Sequence, residues 1–155
     1  MGNPSHIVAV FGGAVSGAEA AFQLAERGIK TVVFDQQILP YGKIEDGLPK
    51  WHAKLRDKEE GRINDKMQHA NITYVPNIKL GEDIGFEEVV NDWGFSAILL
   101  ATGAWKDRPL PVDGVDEYVD QGLYYQNPFI YWFNHYHEPN YRGQQFDIVD
   151  DTAIV

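Results

Sequence analysis

The segment 7–21 constrains the fold of this chain more than any other part of the sequence. It reads IVAVFGGAVSGAEAA. The apolar run predicts a strand, the glycines that follow predict a turn, and the small residues predict a helix that begins at once. Such a crossover presents unpaired backbone N–H groups and the positive end of a helix dipole at one place. The segment therefore predicts a site for a diphosphate.

The turn is close to the dinucleotide fingerprint G-x-G-x-x-G. Gly12 and Gly17 stand at its first and third glycine positions, whereas Ala14 replaces the second, which normally lets phosphates approach the backbone. The segment 30–34 predicts a second strand, and Asp35 follows it at the distance expected for a carboxylate that binds an adenosine ribose. Any glycine turn between a strand and a helix would look similar. The strand, helix, strand and acid together favour nucleotide binding.

Composition excludes several classes of function. With 155 residues and 44% hydrophobic residues, the chain is expected to form one globular domain. A net charge of −10 with no basic run argues against nucleic acid and against an anionic membrane surface as partners. The sequence contains no cysteine, which excludes disulfides, a dithiol relay and thiolate-bound iron–sulfur clusters. No apolar run is long enough to span a membrane and no secretory signal is recognised, so we expect a cytoplasmic protein.

The remaining segments alternate between helix and strand. This alternation predicts an α/β fold, a Rossmann-like doubly wound parallel sheet in three layers, followed by a loop-rich aromatic C-terminal tail. Ligands of such sheets bind at the carboxyl ends of the strands, where the turn at 12–17, Asp35 and the turn at 101–104 would meet. An ordinary glycine turn that ends a strand is the alternative for the last of these. The predicted segments are a helix at 17–27, a loop at 36–49, a helix at 54–70 weakened at Gly61, a strand at 72–75, a helix at 86–93 and a strand at 96–101.

Five features, in this order, carry a family resemblance: VFGGAVSG, the acid after the second strand, LPYGKIEDGLP, LLATGAW and FIYWFN. Together they resemble the FAD-binding half of adrenodoxin reductase-type ferredoxin–NADP reductases and of the glutamate synthase small subunit. These proteins belong to the pyridine nucleotide-disulfide oxidoreductase superfamily, here without its redox disulfide. The resemblance spans nearly the whole chain. It implies an FAD-binding domain at 1–120, then an aromatic connecting segment and the start of an NAD(P)-binding domain at 121–155.

The resemblance also assigns residues to the cofactor. In the matching positions, Gly12, Ala14, Ser16 and Gly17 surround the FAD diphosphate, Asp35 holds the ribose, Gly42 and Lys43 pass close to the flavin end, Leu80 meets adenine through its backbone, and Thr102 and Gly103 lie against the cofactor. Gly13, Gln36 and Ala101 complete the predicted cofactor-binding set. Relatives more often carry Glu where this chain has Asp35.

Three histidines need separate interpretations. His52 matches a histidine that the reductase family places near the flavin, and it is the predicted catalytic residue, suited to relay protons near neutral pH. The alternative is a surface histidine beside Trp51. His135 and His137, with Glu138 adjacent, could suggest a metal, but in a loop or strand without a third clear ligand a structural role is favoured, so no metal site is predicted.

The implied function is that of one part of a larger enzyme. Hydride would pass from NAD(P)H to FAD, and electrons would go on to a protein or small-molecule acceptor, while this part alone would not react with NADPH. Two other functions stay open: a non-catalytic adenine-dinucleotide-binding or assembly module, and a stand-alone NAD-binding domain.

The tail bears on the same question. Its aromatic residues are expected to pack against another domain, and the alternative is a stacking platform. The segment 150–155 reads as the opening of a further strand. The chain is therefore expected to be a fragment, the alternative being a small domain whose last strand completes its own sheet.

Overall fold

A parallel sheet forms the centre of the protein. The computed structural model describes residues 6–147. Within that range four strands pair in the order β3-β2-β1-β4, and every pairing is parallel. The strands are β1 (Ile7–Phe11), β2 (Lys30–Phe34), β3 (Ile72–Val75) and β4 (Ala97–Leu100). The helices are α1 (Val15–Glu26), α2 (Lys43–Asp46), α3 (Ala53–Met67), α4 (Phe86–Asn91) and α5 (Gln126–His135), with 3₁₀ turns at Lys50–His52 and Val115–Tyr118.

Both faces of the sheet are covered by helices. Successive residues of a strand point to opposite sides, so each strand contributes side chains to both faces. On one face, Val8 and Val10 of β1 pack with Ala21 of α1 and with Met67 of α3. On the other face, the core contains the alternate β1 residues, Phe34 of β2 and Val89 of α4. The three-layer α/β fold predicted from the alternation of elements is thus confirmed.

Small residues let α1 lie close to the sheet. The buried residues of this helix are Gly17, Ala18, Ala21 and Ala25. Ala18 also joins a separate core cluster with Ile44 of α2 and Ile63 of α3. The segment after β2 is therefore fixed against the two helices that cover the sheet.

Several helices differ from those expected from the sequence, and α3 and α4 end at Met67 and Asn91, earlier than expected. Helix α1 begins at Val15 rather than at Gly17, because the turn is tighter than expected. Helix α2 lies inside the segment predicted as loop. Helix α3 runs through Gly61 without interruption, since its contact with α1 outweighs the local cost of one glycine. The loop-rich tail contains the ten-residue helix α5.

Two sequence predictions concern residues that the structure does not describe. The polar start at 1–5 and the strand predicted at 150–155 lie outside the described residues. Among the helices between residues 6 and 147, none is both long enough and apolar enough to cross a bilayer.

Candidate functional site

A large open cleft lies at the carboxyl ends of β1, β2 and β4. Its volume is about 1220 Å³, above the roughly 300–1,000 Å³ typical of pockets for drug-sized ligands. Parallel strands end together at one edge of the sheet, so the turns that follow them converge there. Eleven residues predicted for the cofactor line this cleft: Gly12, Ala14, Ser16, Asp35, Gln36, Gly42, Lys43, Leu80, Ala101, Thr102 and Gly103.

The amino terminus of α1 opens into the cleft. Ala14 is its N-cap residue, and no side chain caps the helix. The first turn contains no acidic residue. Within residues 6–147, the backbone N–H groups of Val15 and Ser16 donate to no acceptor of the protein. A helix start with free donors and no acid in its first turn attracts an anion.

Two glycines allow the backbone to fold tightly at this point. Gly12 has φ +98, and a Cβ there would overlap the carbonyl oxygen of Ala101. A Cβ at Gly17 would overlap the carbonyl oxygen of Gly12. Gly17 does not line the cleft; its role is to let α1 start directly against the end of β1. This is the helix–strand contact that the third glycine of the fingerprint provides.

Asp35 connects the two turns that follow β1 and β2. Its side chain accepts hydrogen bonds from the Gly13 N–H at 2.6 Å and from the Gln37 N–H at 2.8 Å. The residue is 6% exposed. Gly13 does not line the cleft, so its part in the site is to hold this carboxylate. Each carboxylate oxygen can accept a further hydrogen bond, so a ribose hydroxyl could still bind on the cleft side.

Tyr74 of β3 lies beside this pair. A Cβ at Gly13 would come within 3.1 Å of the Tyr74 ring. Burial raises the pKa of the Tyr74 hydroxyl, and the nearby negative charge of Asp35 adds to the rise. The neutral phenol donates a hydrogen bond to the Gln37 carbonyl at 3.3 Å. The wall of the cleft at the end of β2 is therefore a bonded unit.

The turn after β4 forms the opposite wall. Gly103 has φ +74, a conformation that favours glycine. The Trp105 indole N–H donates to the Thr102 carbonyl at 2.8 Å and holds the indole against the turn. Trp105 lines the cleft, although sequence reasoning did not select it. Its position directly after the ATGA run was the available signal.

Lys43 spans the space between two walls. Gly42, with φ +51, lets the segment before α2 approach Ala14 so closely that a Cβ at Gly42 would lie 2.9 Å from the Ala14 Cβ. The Lys43 ammonium lies 4.6 Å from the centre of the Trp105 ring. It also donates to Asn127 Oδ1 of α5 at 2.9 Å. This end of the cleft thus combines a cation with an aromatic surface.

The far end of the cleft is lined by Gln36, Leu80 and Lys79. Leu80 pairs with Ile84 in a short bridge, and Gly81 between them has φ +89. Leu80 packs on the core cluster that includes Phe11 and Phe34. The apolar backing suits a flat heterocycle.

His52 lies elsewhere. It is exposed, it ends the 3₁₀ turn at Lys50–His52, and it is not among the residues that line the cleft. Its ring is 5.9 Å from that of Trp51, which is itself 64% exposed. The catalytic role of His52 stays a prediction.

The other histidines of interest lie at the end of α5. His135 Nε2 is 3.2 Å from Asp46 Oδ1, and its Nδ1 is 2.7 Å from Glu138 Oε1. His137 Nδ1 is 3.1 Å from the Lys50 ammonium. Burial raises the pKa of Glu45, and the adjacent Asp46 carboxylate contributes. These groups join α5 to the segment 45–50.

Comparison with known proteins shows what the chain as a whole is similar to. No protein-family model matches the chain. The glutamate synthase [NADPH] small chain of Mycobacterium tuberculosis is 30% identical over 146 residues, which are 94% of this chain and 27% of the relative. The mitochondrial NADPH:adrenodoxin oxidoreductase of Arabidopsis thaliana is 26% identical, over 84% of this chain and 26% of the relative.

Over most of its length the chain is similar to glutamate synthase small chains and to adrenodoxin reductase-type oxidoreductases. The resemblance noted in the sequence is therefore confirmed. The solved structure of FprA from Mycobacterium tuberculosis in complex with NADPH shares the fold, with a TM-score of 0.70 at 20% identity over 84% of this chain and 29% of that one. The chain spans 27% and 26% of the length of the two relatives compared above.

Proposed function

We propose that this chain is the FAD-binding part of an NAD(P)H-dependent flavoprotein oxidoreductase. The observation that carries the proposal is the uncapped start of α1, which opens into a cleft built from the ends of three parallel strands. When bound, FAD would supply the redox chemistry that links a nicotinamide hydride donor to an acceptor. The chain supplies binding and orientation.

The residues present fit an extended dinucleotide. The free N–H groups of Val15 and Ser16 would donate to the diphosphate, and the dipole of α1 would favour its negative charge. Asp35 would accept from a ribose hydroxyl, and the backbone at Leu80 would meet adenine. At the other end, Lys43 and Trp105 offer a cation and an aromatic face to the flavin.

The donor and the acceptor are proposed from the relatives. Those named above use NADPH, and one acts on adrenodoxin. We infer that a nicotinamide nucleotide reduces the intact protein and that an electron-carrier protein is a possible acceptor. The resemblance implies that NAD(P)H binds to a second domain, so we expect that this chain alone does not oxidise NADPH. A cytoplasmic location stays a prediction.

A binding titration tests the proposal. The purified chain is titrated separately with FAD, NAD and ADP, and affinity is followed by isothermal calorimetry and by the absorbance of bound flavin. We expect FAD to bind more tightly than NAD, because its isoalloxazine ring offers Lys43 and Trp105 a larger aromatic surface than nicotinamide does. Failure to bind FAD would overturn the proposal, and a preference for NAD would indicate a stand-alone NAD-binding domain.

The non-catalytic alternative requires a second measurement. The chain loaded with FAD is mixed with an NADPH-binding domain from a relative, and bleaching of the flavin absorbance is recorded under anaerobic conditions. Reduction supports a catalytic role. Tight FAD binding without reduction, in a complex shown to have assembled, would favour a binding or assembly module.

A further inference from the structure

The segment 42–50 forms one wall of the cleft but has little regular structure of its own. Gly42, Lys43, Ile44 and Leu48 line the cleft. Helix α2 within this segment has four residues, and so short a helix is not stable by itself. Contacts with other elements must therefore hold the wall in place.

Asn134 of α5 makes those contacts directly. Its side-chain amide donates to the Glu45 carbonyl at 3.0 Å and to the Leu48 carbonyl at 2.9 Å. Its Oδ1 accepts from the Lys50 N–H at 3.0 Å. The residue is 5% exposed. One buried side chain thus satisfies three backbone groups of the wall, and such groups are costly to leave unpaired.

The same face of α5 makes two more contacts with the wall. Asn127 accepts from the Lys43 ammonium at 2.9 Å, and His135 Nε2 lies 3.2 Å from Asp46 Oδ1. Asn127 and Asn134 are two helical turns apart and therefore lie on one side of the helix. Helix α5 holds the wall at both ends and in the middle.

We propose that Asn134 is a positioning residue for the cofactor: it holds the segment 42–50 in the conformation that presents Lys43 and Leu48 to the cleft. The proposal rests on the proposed FAD site. Asn134 itself does not line the cleft. It acts through the three backbone groups of the wall to which it is hydrogen-bonded. Replacement of Asn134 should therefore reduce FAD affinity by more than the accompanying loss of global stability can explain.

The test compares Asn134→Asp with a matched variant, Asn71→Asp. Asn134→Asp keeps the volume and the acceptor for the Lys50 N–H, but it sets an oxygen against two carbonyls. Asn71 donates to the Ala25 carbonyl at 3.2 Å, outside the cleft. FAD affinity, the free energy of unfolding in urea and the hydrogen exchange of the amides at 43–50 are measured for both variants and for the native chain.

We expect Asn134→Asp to bind FAD at least about tenfold more weakly and to lose exchange protection at 43–50 while the strands stay protected. Asn71→Asp should lower stability and leave FAD affinity unchanged. Native affinity in a folded Asn134→Asp variant would overturn the inference. So would equal losses of affinity in the two variants, because these would indicate a general effect on stability.

Two other results also need an interpretation: an Asn134→Asp variant that does not fold, and a native chain that does not bind FAD. If Asn134→Asp does not fold, Asn127→Ala removes a single contact of the same helix face, and unchanged FAD affinity in that variant overturns the positioning role of α5. If the native chain itself does not bind FAD, the proposed function fails and the positioning role fails with it. Normal binding by Asn134→Asp overturns the inference alone.

Discussion

Gly17 lies where α1 meets the carboxyl end of β1, and the backbones are so close there that a Cβ would overlap the Gly12 carbonyl oxygen. Gly61 has the opposite surroundings, because a Cβ in the middle of α3 would meet nothing within 4 Å. The same substitution at these two residues therefore separates the effect of packing from the effect of helix propensity.

We predict opposite effects for Gly17→Ala and Gly61→Ala on the free energy of unfolding in urea. Gly17→Ala should destabilise the protein by more than about 3 kcal/mol, because backbone must move. Gly61→Ala should stabilise it by about 1 kcal/mol through helix propensity. A Gly17→Ala variant of native stability would contradict the close contact between α1 and β1.

Asp35 is a residue whose position could be predicted from the sequence but whose hydrogen bonds could not. Its place after β2 predicted a carboxylate at the cleft, and the structure has it there. The hydrogen bonds from Gly13 and Gln37 were not predicted, because they depend on how two separate turns meet. The predicted contact with a ribose stays a prediction.

Among the secondary-structure elements, α1 has an amino terminus that is well suited to bind an anion but is poorly stabilised by its own residues. It has neither a side-chain cap nor an acid in its first turn, although either would stabilise a helix. Ser16 is exposed in that turn and lines the cleft. A negative charge there should improve the helix and damage the site.

We therefore predict opposite signs for stability and binding when Ser16→Glu is compared with its neutral, size-matched control Ser16→Gln. Without ligand, the glutamate variant should be more stable by about 0.3–1 kcal/mol. Its FAD affinity should be at least about tenfold lower, because the carboxylate repels the diphosphate. Equal FAD affinities in the two variants would show that the diphosphate does not bind at the start of α1.

Helix α5 is the element that sequence reasoning described least well. Its aromatic residues were expected to pack against another domain, and some do pack within the described tail: the rings of Phe129 and Phe146 are 5.4 Å apart. The polar face of the same helix, with Asn127 and Asn134, holds the wall of the cleft. Polar residues scattered among aromatic ones give no local signal for such a role.

At the scale of the whole molecule, the division of the chain at residue 120 remains a prediction. The segment after it is nevertheless bonded to the sheet domain at several points, including Asn134 to the Glu45 carbonyl and Gln144 to Asp120 at 2.6 Å. The segment 121–147 therefore supports a wall of the cleft, although it comes after the sheet domain in the sequence.

We predict that a chain ending at residue 120 is less stable than a chain ending at residue 147, by about 3 kcal/mol or more, since it loses the three hydrogen bonds of Asn134. Unfolding in urea, followed by circular dichroism, measures the difference. The longer chain is the control, because it keeps every contact described above. Equal midpoints would mean that α5 adds nothing to the sheet domain.

The sequence by itself determined the crossover at 7–26 and the acid after β2, because each follows from a short run of neighbouring residues. It also determined the parallel sheet and the family resemblance, because these follow from the order of such runs along the chain. Hydrophobic periodicity and glycine position are local properties, and local properties can be read along one chain. The tertiary structure alone decided which distant side chains complete the cleft. Trp105 reaches Lys43, and Asn134 reaches the backbone at 45–50, only because packing brings these segments together across dozens of residues.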